Sequence, residues 1–535
     1  MVKEIVLSST QVIDSKTSSS DLVSLVLANR QINNVEEFLS PSYPKLKLNF
    51  VAALKLINSS IKRKQNILIY GDYDVDGVTA TAILWQSIYK VYSQVTPFVP
   101  NREKDGYGIK ANSFFRFQEE KGITFDLLIT VDNGIVADKE LAKIKAKQDI
   151  KIIVTDHHLS DKIVEFADAL IHSTQVSGAA LSWFLAKEID KDADLGLAAL
   201  GTVADCLPLT EVNRSIVVHG LKSLQSNPSP GIRKLINVSG VKLDSVSAYD
   251  LGFILGPRIN AVGRLSDPTD ALRLLCSQNQ LQAARYAQVL NTYNSDRQVL
   301  QKESLDFAES TICKGDSCGR PTNKIVIISG DYNPGIIGLI SGRLTEKYYL
   351  PSIVISIDGD IAKGSCRSIP ELNIIESLRQ HSKLFIDLGG HPGAAGFSIL
   401  TKNIPKLEKA ITKTVNSKLI KINLTPHLDV DAQMELAAVT IKNIKALESL
   451  APFGIGNPEP LFIFKQALVQ SIRTIGQTND HLKLKVDGID AIAFKKGDLT
   501  SKIKVGDQVD IVASLSENTW NNQTTPQLII KEIVI

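Results

Sequence analysis

Cysteine is scarce in this chain and irregularly spaced. The 535 residues hold five, Cys206, Cys276, Cys313, Cys318 and Cys366. An odd, scattered set does not describe a disulfide framework, and no second ligand pair accompanies Cys313 and Cys318. Free thiols in a reducing compartment are the expectation. Long apolar runs are missing as well. None approaches the roughly 18 residues that a bilayer span requires, and the opening MVKEIVLSST lacks the apolar stretch of a secretory signal. A cytoplasmic protein without membrane association is expected. Charge of one sign is not in excess either. A net charge of +3 does not announce a polyanion partner, although acidic metal ligands would offset a basic groove. There is no internal repeat and no low-complexity segment. With 44% hydrophobic and 22% charged residues, the composition is that of a folded globular protein rather than a disordered one. The length suggests about three domains.

Three short apolar runs, NILIY (66–70), DLLITV (126–131) and IKIIVT (150–155), alternate with helical stretches such as VTATAILWQSIYKVY (78–92). Runs of this kind predict buried parallel strands of an α/β sheet. Each is followed at once, or after a glycine, by an acid: Asp72 after Gly71, then Asp132 and Asp156. Ligands of such sheets bind beyond the carboxyl ends of the strands. One long helix is predicted over 281–311. A second α/β pattern follows, with strands at 324–329 and 352–357 and the segment LGGHPGAAGF at 388–397. From about 427 short apolar runs split by Gly, Asn and Asp predict a small all-β domain, compatible with a barrel.

Four motifs carry the chemistry. In IYGDYDVDGVT (69–79), three acids alternate: Asp72, Asp74 and Asp76. A calcium loop of the EF-hand kind would need Glu twelve positions from Asp72, where Ile83 stands. ITVDNG (129–134) offers Asp132, VTDHHLS (154–160) offers Asp156, His157 and His158, and LGTVADCLPL (200–209) offers Asp205. Mn(II) and Mg(II) take carboxylate oxygens, and Mn(II) also accepts imidazole. Two such ions about 4 Å apart clamp a phosphodiester, with one carboxylate between them. The middle acid, Asp132, is placed for that bridge. The pattern predicts a metal-dependent phosphodiesterase built on Asp72, Asp74, Asp132, His157 and Asp205.

The order GDYDVDGVTAT, VDNG, TDHH and TVADCLPL is similar to the DHH phosphoesterase superfamily, and within it to the RecJ single-stranded-DNA exonucleases. LGGHPGAAGF resembles the DHH-associated domain motif of that family. The resemblance covers about residues 65–535. It implies two ions, Mn(II) or Mg(II), one on Asp72 and Asp132 and the other on Asp74, Asp132, His157 and Asp205. It further implies that Asp156 orients a ligand and that His158 contacts the scissile phosphate. Many superfamily members carry a histidine four residues before the first motif Asp; Leu68 stands there in this chain, as RecJ-like proteins generally lack it.

Phosphate contacts are predicted in four segments. Arg102 in NREKDGYGI, with Ser365 and Arg367 in AKGSCRSIP, matches the family's 5′-phosphate pocket. Arg258 and Arg264 in GPRINAVGRL could meet phosphates, and His391 in LGGHPGAAGF could donate to a phosphate or sugar. The all-β end resembles an oligonucleotide-binding (OB) fold, with Phe453, Phe462, Phe464 and Trp520 available for stacking. APFGIGNPEP (451–460) resembles a family segment whose role the sequence does not reveal. The expected plan is an N-terminal extension (1–60) packing on the catalytic lobe, a DHH domain (61–230), a linker region with the long helix (231–320), a DHH-associated domain (321–425) and an OB domain (426–535). The implied activity is 5′-to-3′ degradation of single-stranded DNA to mononucleotides in repair and recombination. Single-stranded-DNA-binding protein and a helicase are the implied partners. A phosphodiesterase for short oligonucleotides or cyclic dinucleotides would need no added β domain, and a non-catalytic scaffold would not need every donor intact.

Overall fold

The three acid-terminated runs lie side by side as strands. The computed structural model describes residues 3–534 apart from 107, 161–163 and 316–321, and of 313–315 the backbone alone. The thiols of Cys313 and Cys318 fall outside the described residues; Cys206, Cys276 and Cys366 are free. Two compact units make up the chain, one spanning Ser8–Asn294 with Asp431–Ile533 and the other chiefly Ser295–Val430.

In the larger unit, a five-stranded sheet runs in the order Val95–Phe98, Ile67–Tyr70, Leu127–Val131, Lys151–Asp156, Ala169–His172. Every pairing is parallel. Ile67–Tyr70 and Leu127–Val131 are buried throughout, as apolar strands covered on both faces must be. The strand order reverses direction between these two, and that crevice is where such sheets bind ligands. Pro97 lies in the edge strand, the position that tolerates a residue with no N–H.

The helices that cover this sheet extend past the expected boundary at residue 230. Ile232, Leu235, Leu251, Ile259, Leu274 and Leu290 share its hydrophobic core, so most of the region read as a linker belongs to this unit. The N-terminal extension also departs from expectation. Ala53 and Ile57 pack on the catalytic core, but Ile13, Leu22, Val26 and Phe38 bury themselves in the core of the C-terminal sheet. Val12 and Ile13 pair with Gln433 and Met434 of that sheet.

The C-terminal sheet has seven strands, including Phe462–Ile475, His481–Val486, Ile489–Ala493, Gln508–Trp520 and Gln523–Val534. Phe462–Ile475 pairs with both Gln508–Trp520 and His481–Val486. Phe462 and Phe464 are core residues and do not face solvent, whereas Trp520 is exposed.

The smaller unit is a mixed five-stranded sheet in the order Phe385–His391, Ala394–Leu400, Ile361–Arg367, Ser352–Asp358, Val326–Gly330. Only the last two strands pair in parallel. The helix Gln280–Gly315 carries the chain from one unit into the other.

Candidate metal centre

Four segments converge at the sheet crevice. Asp72 follows the strand Ile67–Tyr70, Asp132 follows Leu127–Val131, and Asp156 ends Lys151–Asp156 with His157 next. Asp132 takes a left-handed backbone, φ 58°, a conformation that Asp adopts at a small cost and most other residues avoid. That turn aims its carboxylate across the strand ends. Asp205 arrives differently, as the C-cap of the helix Leu195–Ala204.

The donors form three sets whose ligand atoms lie within 4.8 Å of one another: Asp72, Asp74 and Asp132; Asp76, His157 and Asp205; and Asp132, His157 and His158. His157 Nε2 stands 3.1 Å from Asp132 Oδ1, and 3.6 Å from both Asp76 Oδ2 and Asp205 Oδ2. The second set holds Asp76 where the sequence reading puts Asp74. Asp74 instead groups with Asp72, and one of its oxygens caps the helix Val75–Tyr89 by accepting from Gly77 N at 3.0 Å.

Asp76 is the residue that sequence reasoning did not assign. It is buried, and its carboxylate accepts from Gly178 N at 2.6 Å and Ala179 N at 2.9 Å. These are the first amides of the helix Gly178–Lys187, a favourable place for an anion. Two glycines leave the room. A Cβ at Gly178 would stand 2.6 Å from Asp132 Cβ, and one at Gly201 would stand 2.5 Å from Asp76 Oδ1. The third acid of the alternating triple was the signal available in the sequence.

Electrostatics explain why a cation belongs here. Burial, then repulsion from neighbouring carboxylates, pushes Asp72, Asp74 and Asp132 above the usual carboxylate range and Asp205 to about 8. Asp72 Oδ1 is buried with no hydrogen-bond partner among the described residues. An orphaned buried carboxylate oxygen among further acids and a histidine fits a hard or borderline divalent ion. Burial lowers the pKa of His157, which favours the neutral imidazole that a metal requires.

His158 has another environment. Its Nδ1 lies 2.7 Å from Asp156 Oδ1, and Asp156 also accepts from His158 N and from Ile135 N. Burial opposes the imidazolium, but the bond and charge of Asp156 prevail and raise His158 to about 9. Asp156 therefore orients His158 and keeps it charged at neutral pH.

The expected phosphate contacts separate. Arg102 lies over the Tyr73 ring, 5.6 Å from its centroid, beside the metal loop. Arg264 is near enough to Tyr73 to influence its ionisation. Arg258 is otherwise engaged: Nε donates to Asn291 Oδ1 and Nη1 to Ile254 O, bracing the π-helical turn Leu251–Leu255. Ser365, Arg367 and His391 belong to the smaller unit. Ser365 and Arg367 share one face of the strand Ile361–Arg367 and reach the first turn of the helix Ile337–Tyr348; a Cβ on Gly338 would stand 3.1 Å from Ser365 Oγ and 3.5 Å from Arg367 Nη2. His391 is exposed on the edge strand.

A parallel sheet with its acids at the crevice, joined in the chain to a second α/β unit, defines a DHH-type phosphoesterase architecture. Residues 66–206 match the DHH family N-terminal domain, 322–417 the DHHA1 domain and 430–532 the RecJ OB domain. The single-stranded-DNA-specific exonuclease RecJ of Bacillus subtilis is 33% identical over 90% of this chain, and the chain spans 62% of that relative's length. The crystal structure of RecJ from Thermus thermophilus with Mn2+ superposes with a TM-score of 0.82 at 27% identity, covering 96% of this chain and 76% of that one. The Mg2+ complex of the same protein gives 0.77 at 25% identity, covering 96% and 74%. Over most of its length the chain is thus similar to RecJ exonucleases. Among the described residues no helix is long and apolar enough to cross a membrane.

Proposed function

We propose that this chain is a metal-dependent exonuclease that degrades single-stranded DNA from its 5′ end to mononucleotides, in DNA repair and recombination in the cytoplasm. The observation that carries the reading is His157 within reach of Asp132, Asp76 and Asp205 together, beside a second acidic set that shares Asp132. That arrangement suits two ions with Asp132 between them. One would rest on Asp72, Asp74 and Asp132 and the other on Asp76, Asp132, His157 and Asp205. Bound there, Mn(II) or Mg(II) would supply Lewis acidity toward a phosphodiester and a water acidified for attack.

The protein's own groups do the rest. Asp156 fixes His158, whose imidazolium offers N–H and charge to a phosphate oxygen. Arg102 and Arg264, flanking Tyr73, bind the backbone near the scissile bond. Ser365 and Arg367, beside a helix N-terminus, take the terminal 5′-phosphate, and His391 contacts the strand. The outer face of the C-terminal sheet supports a polymeric substrate. Arg473 and Lys483 stand directly opposite each other across two strands, next to His481 and the exposed Phe494, whose rings are 5.2 Å apart. Lys483 is held by Asp490 at 2.7 Å, and cations beside an exposed ring suit a strand that offers phosphates and bases together. The resemblance to RecJ enzymes supports single-stranded-DNA-binding protein and a helicase as partners.

The test is nuclease activity of the full chain on single-stranded and duplex DNA, with Mn2+, with Mg2+ and with EDTA. Metal-dependent release of mononucleotides from the single strand alone is expected. Cleavage that persists in EDTA would overturn the reading.

A further inference from the structure

The segment APFGIGNPEP has a place in the structure that connects it to the metal centre. Three of the six donors, Asp72, Asp132 and His157, are fixed by the sheet, each lying within two residues of a strand end. Asp205 is not. It closes the helix Leu195–Ala204, its side chain is about 30% exposed, and the chain beyond it is strained. Cys206 and Glu211 both have left-handed backbones, φ 59° and 46°, each costing about 1 kcal/mol for a residue with a Cβ. The helix end is locked from inside by Cys206 N to Val203 O and Leu207 N to Thr202 O, the bond pair of a Schellman turn.

The outer half of this segment leans on the C-terminal domain. Leu209 N donates to Ile455 O at 2.7 Å. Gly454 lies against Leu209, where an added Cβ would stand 2.8 Å from Leu209 Cδ1. Gly456 lies against Pro208, where a Cβ would stand 2.9 Å from Pro208 Cβ. The turn is closed by bonds in both directions between Gly454 and Asn457. Asn457 is fully buried; its amide donates to Leu450 O and Pro452 O, and its oxygen accepts from Arg30. Arg214, also buried, donates to Ala451 O and to Phe38 O. Residues from three stretches of chain thus hold one turn against the segment that follows Asp205.

We propose that the Gly454–Asn457 turn is a positioning element for Asp205, so that the C-terminal domain completes the metal centre of the catalytic domain. The inference rests on the reading of Asp205 as a metal ligand. Groups that orient ligands without touching the ion commonly set metal affinity by about 10–100-fold.

The experiment measures Mn2+ affinity of the full chain by titration calorimetry, with melting of the metal-free protein as the check on folding. Gly454→Ala, which presses on Leu209, should weaken Mn2+ binding about tenfold. The double variant Gly454→Ala/Leu209→Ala, which relieves the clash, should recover most of it. Activity of Gly454→Ala should return as Mn2+ is raised, whereas that of Asp205→Ala should not. Should Gly454→Ala fail to fold, Asn457→Ser carries the same expectation of weaker Mn2+ binding. Unchanged Mn2+ affinity in the folded turn variant, beside weakened binding in Asp205→Ala, would overturn the inference alone. Unchanged binding in Asp205→Ala would overturn the ligand assignment beneath it.

Discussion

His157 Nε2 stands 3.1 Å from Asp132 Oδ1, joining the end of one central strand to the start of the loop after its neighbour. The contact depends on the left-handed backbone of Asp132 and on the missing side chain at Gly178. Asp132→Ala should abolish detectable nuclease activity, a loss of at least about a thousandfold. Gly178→Ala should reduce it as well, by displacing that carboxylate. Steady-state assays at saturating Mn2+ check both, and Gly178→Ala activity equal to the parent would count against the close approach described.

The buried carboxylates make metal-free stability depend on pH. Asp205 holds its proton up to about pH 8 in the folded protein and to about its ordinary 3.8 when unfolded. The folded state binds more protons in that window, so its stability falls as pH rises from about 4 to 8. Mn2+ displaces those protons and reverses the trend. Thermal melting in EDTA should show a lower Tm at pH 8 than at pH 5.5, and added Mn2+ should raise Tm more at pH 8.

The pair of His158 and Asp156 acts in the same direction, in a higher window. His158 is raised from 6.5 to about 9, so the pair contributes stability fully present below about pH 6.5 and lost as pH rises through about 9. Asp156→Asn should bring the imidazole of the metal-free protein back toward neutrality, as NMR titration would register. It should also lower kcat more than it raises KM, because ring charge and orientation matter most as charge develops on phosphate.

Arg367 and Ser365 face the same helix N-terminus as Gly338. Arg367→Ala should reduce the preference for a 5′-phosphorylated end over a 5′-hydroxyl end by about tenfold or more, the worth of a charge-assisted contact. Paired substrates differing only at that end measure it. Arg258→Ala should instead lower Tm with little change in end preference, since its guanidinium is spent on Asn291 and Ile254.

Much of the catalytic sheet was legible because strands buried on both faces are written as local apolar runs. Ile67–Tyr70, Leu127–Val131 and Lys151–Asp156 fall within a residue or two of the runs read from sequence. Val95–Phe98 and Ala169–His172 escaped because edge strands are short and mixed, and one holds a proline. Asp76 is legible as one of three alternating acids but not as a donor. Its partners, Gly178 N and Ala179 N, lie more than a hundred residues away, and nothing local tells which of three alternating acids turns toward which helix. The partner of Arg258 is equally remote, Asn291 on another helix. The N-terminal residues adjoin the catalytic domain in sequence, yet Val12 pairs with Gln433, a contact that no periodicity announces.

The central claim is a metal-dependent cut that starts at a 5′ end. Single-stranded DNA labelled at the 5′ end or the 3′ end, incubated with the full chain and Mn2+, tests it most directly. The account predicts that 5′ label appears at once as mononucleotide, while 3′ label persists on progressively shorter strands. Label released first from the 3′ end, or cleavage within the strand before either end is trimmed, would contradict it.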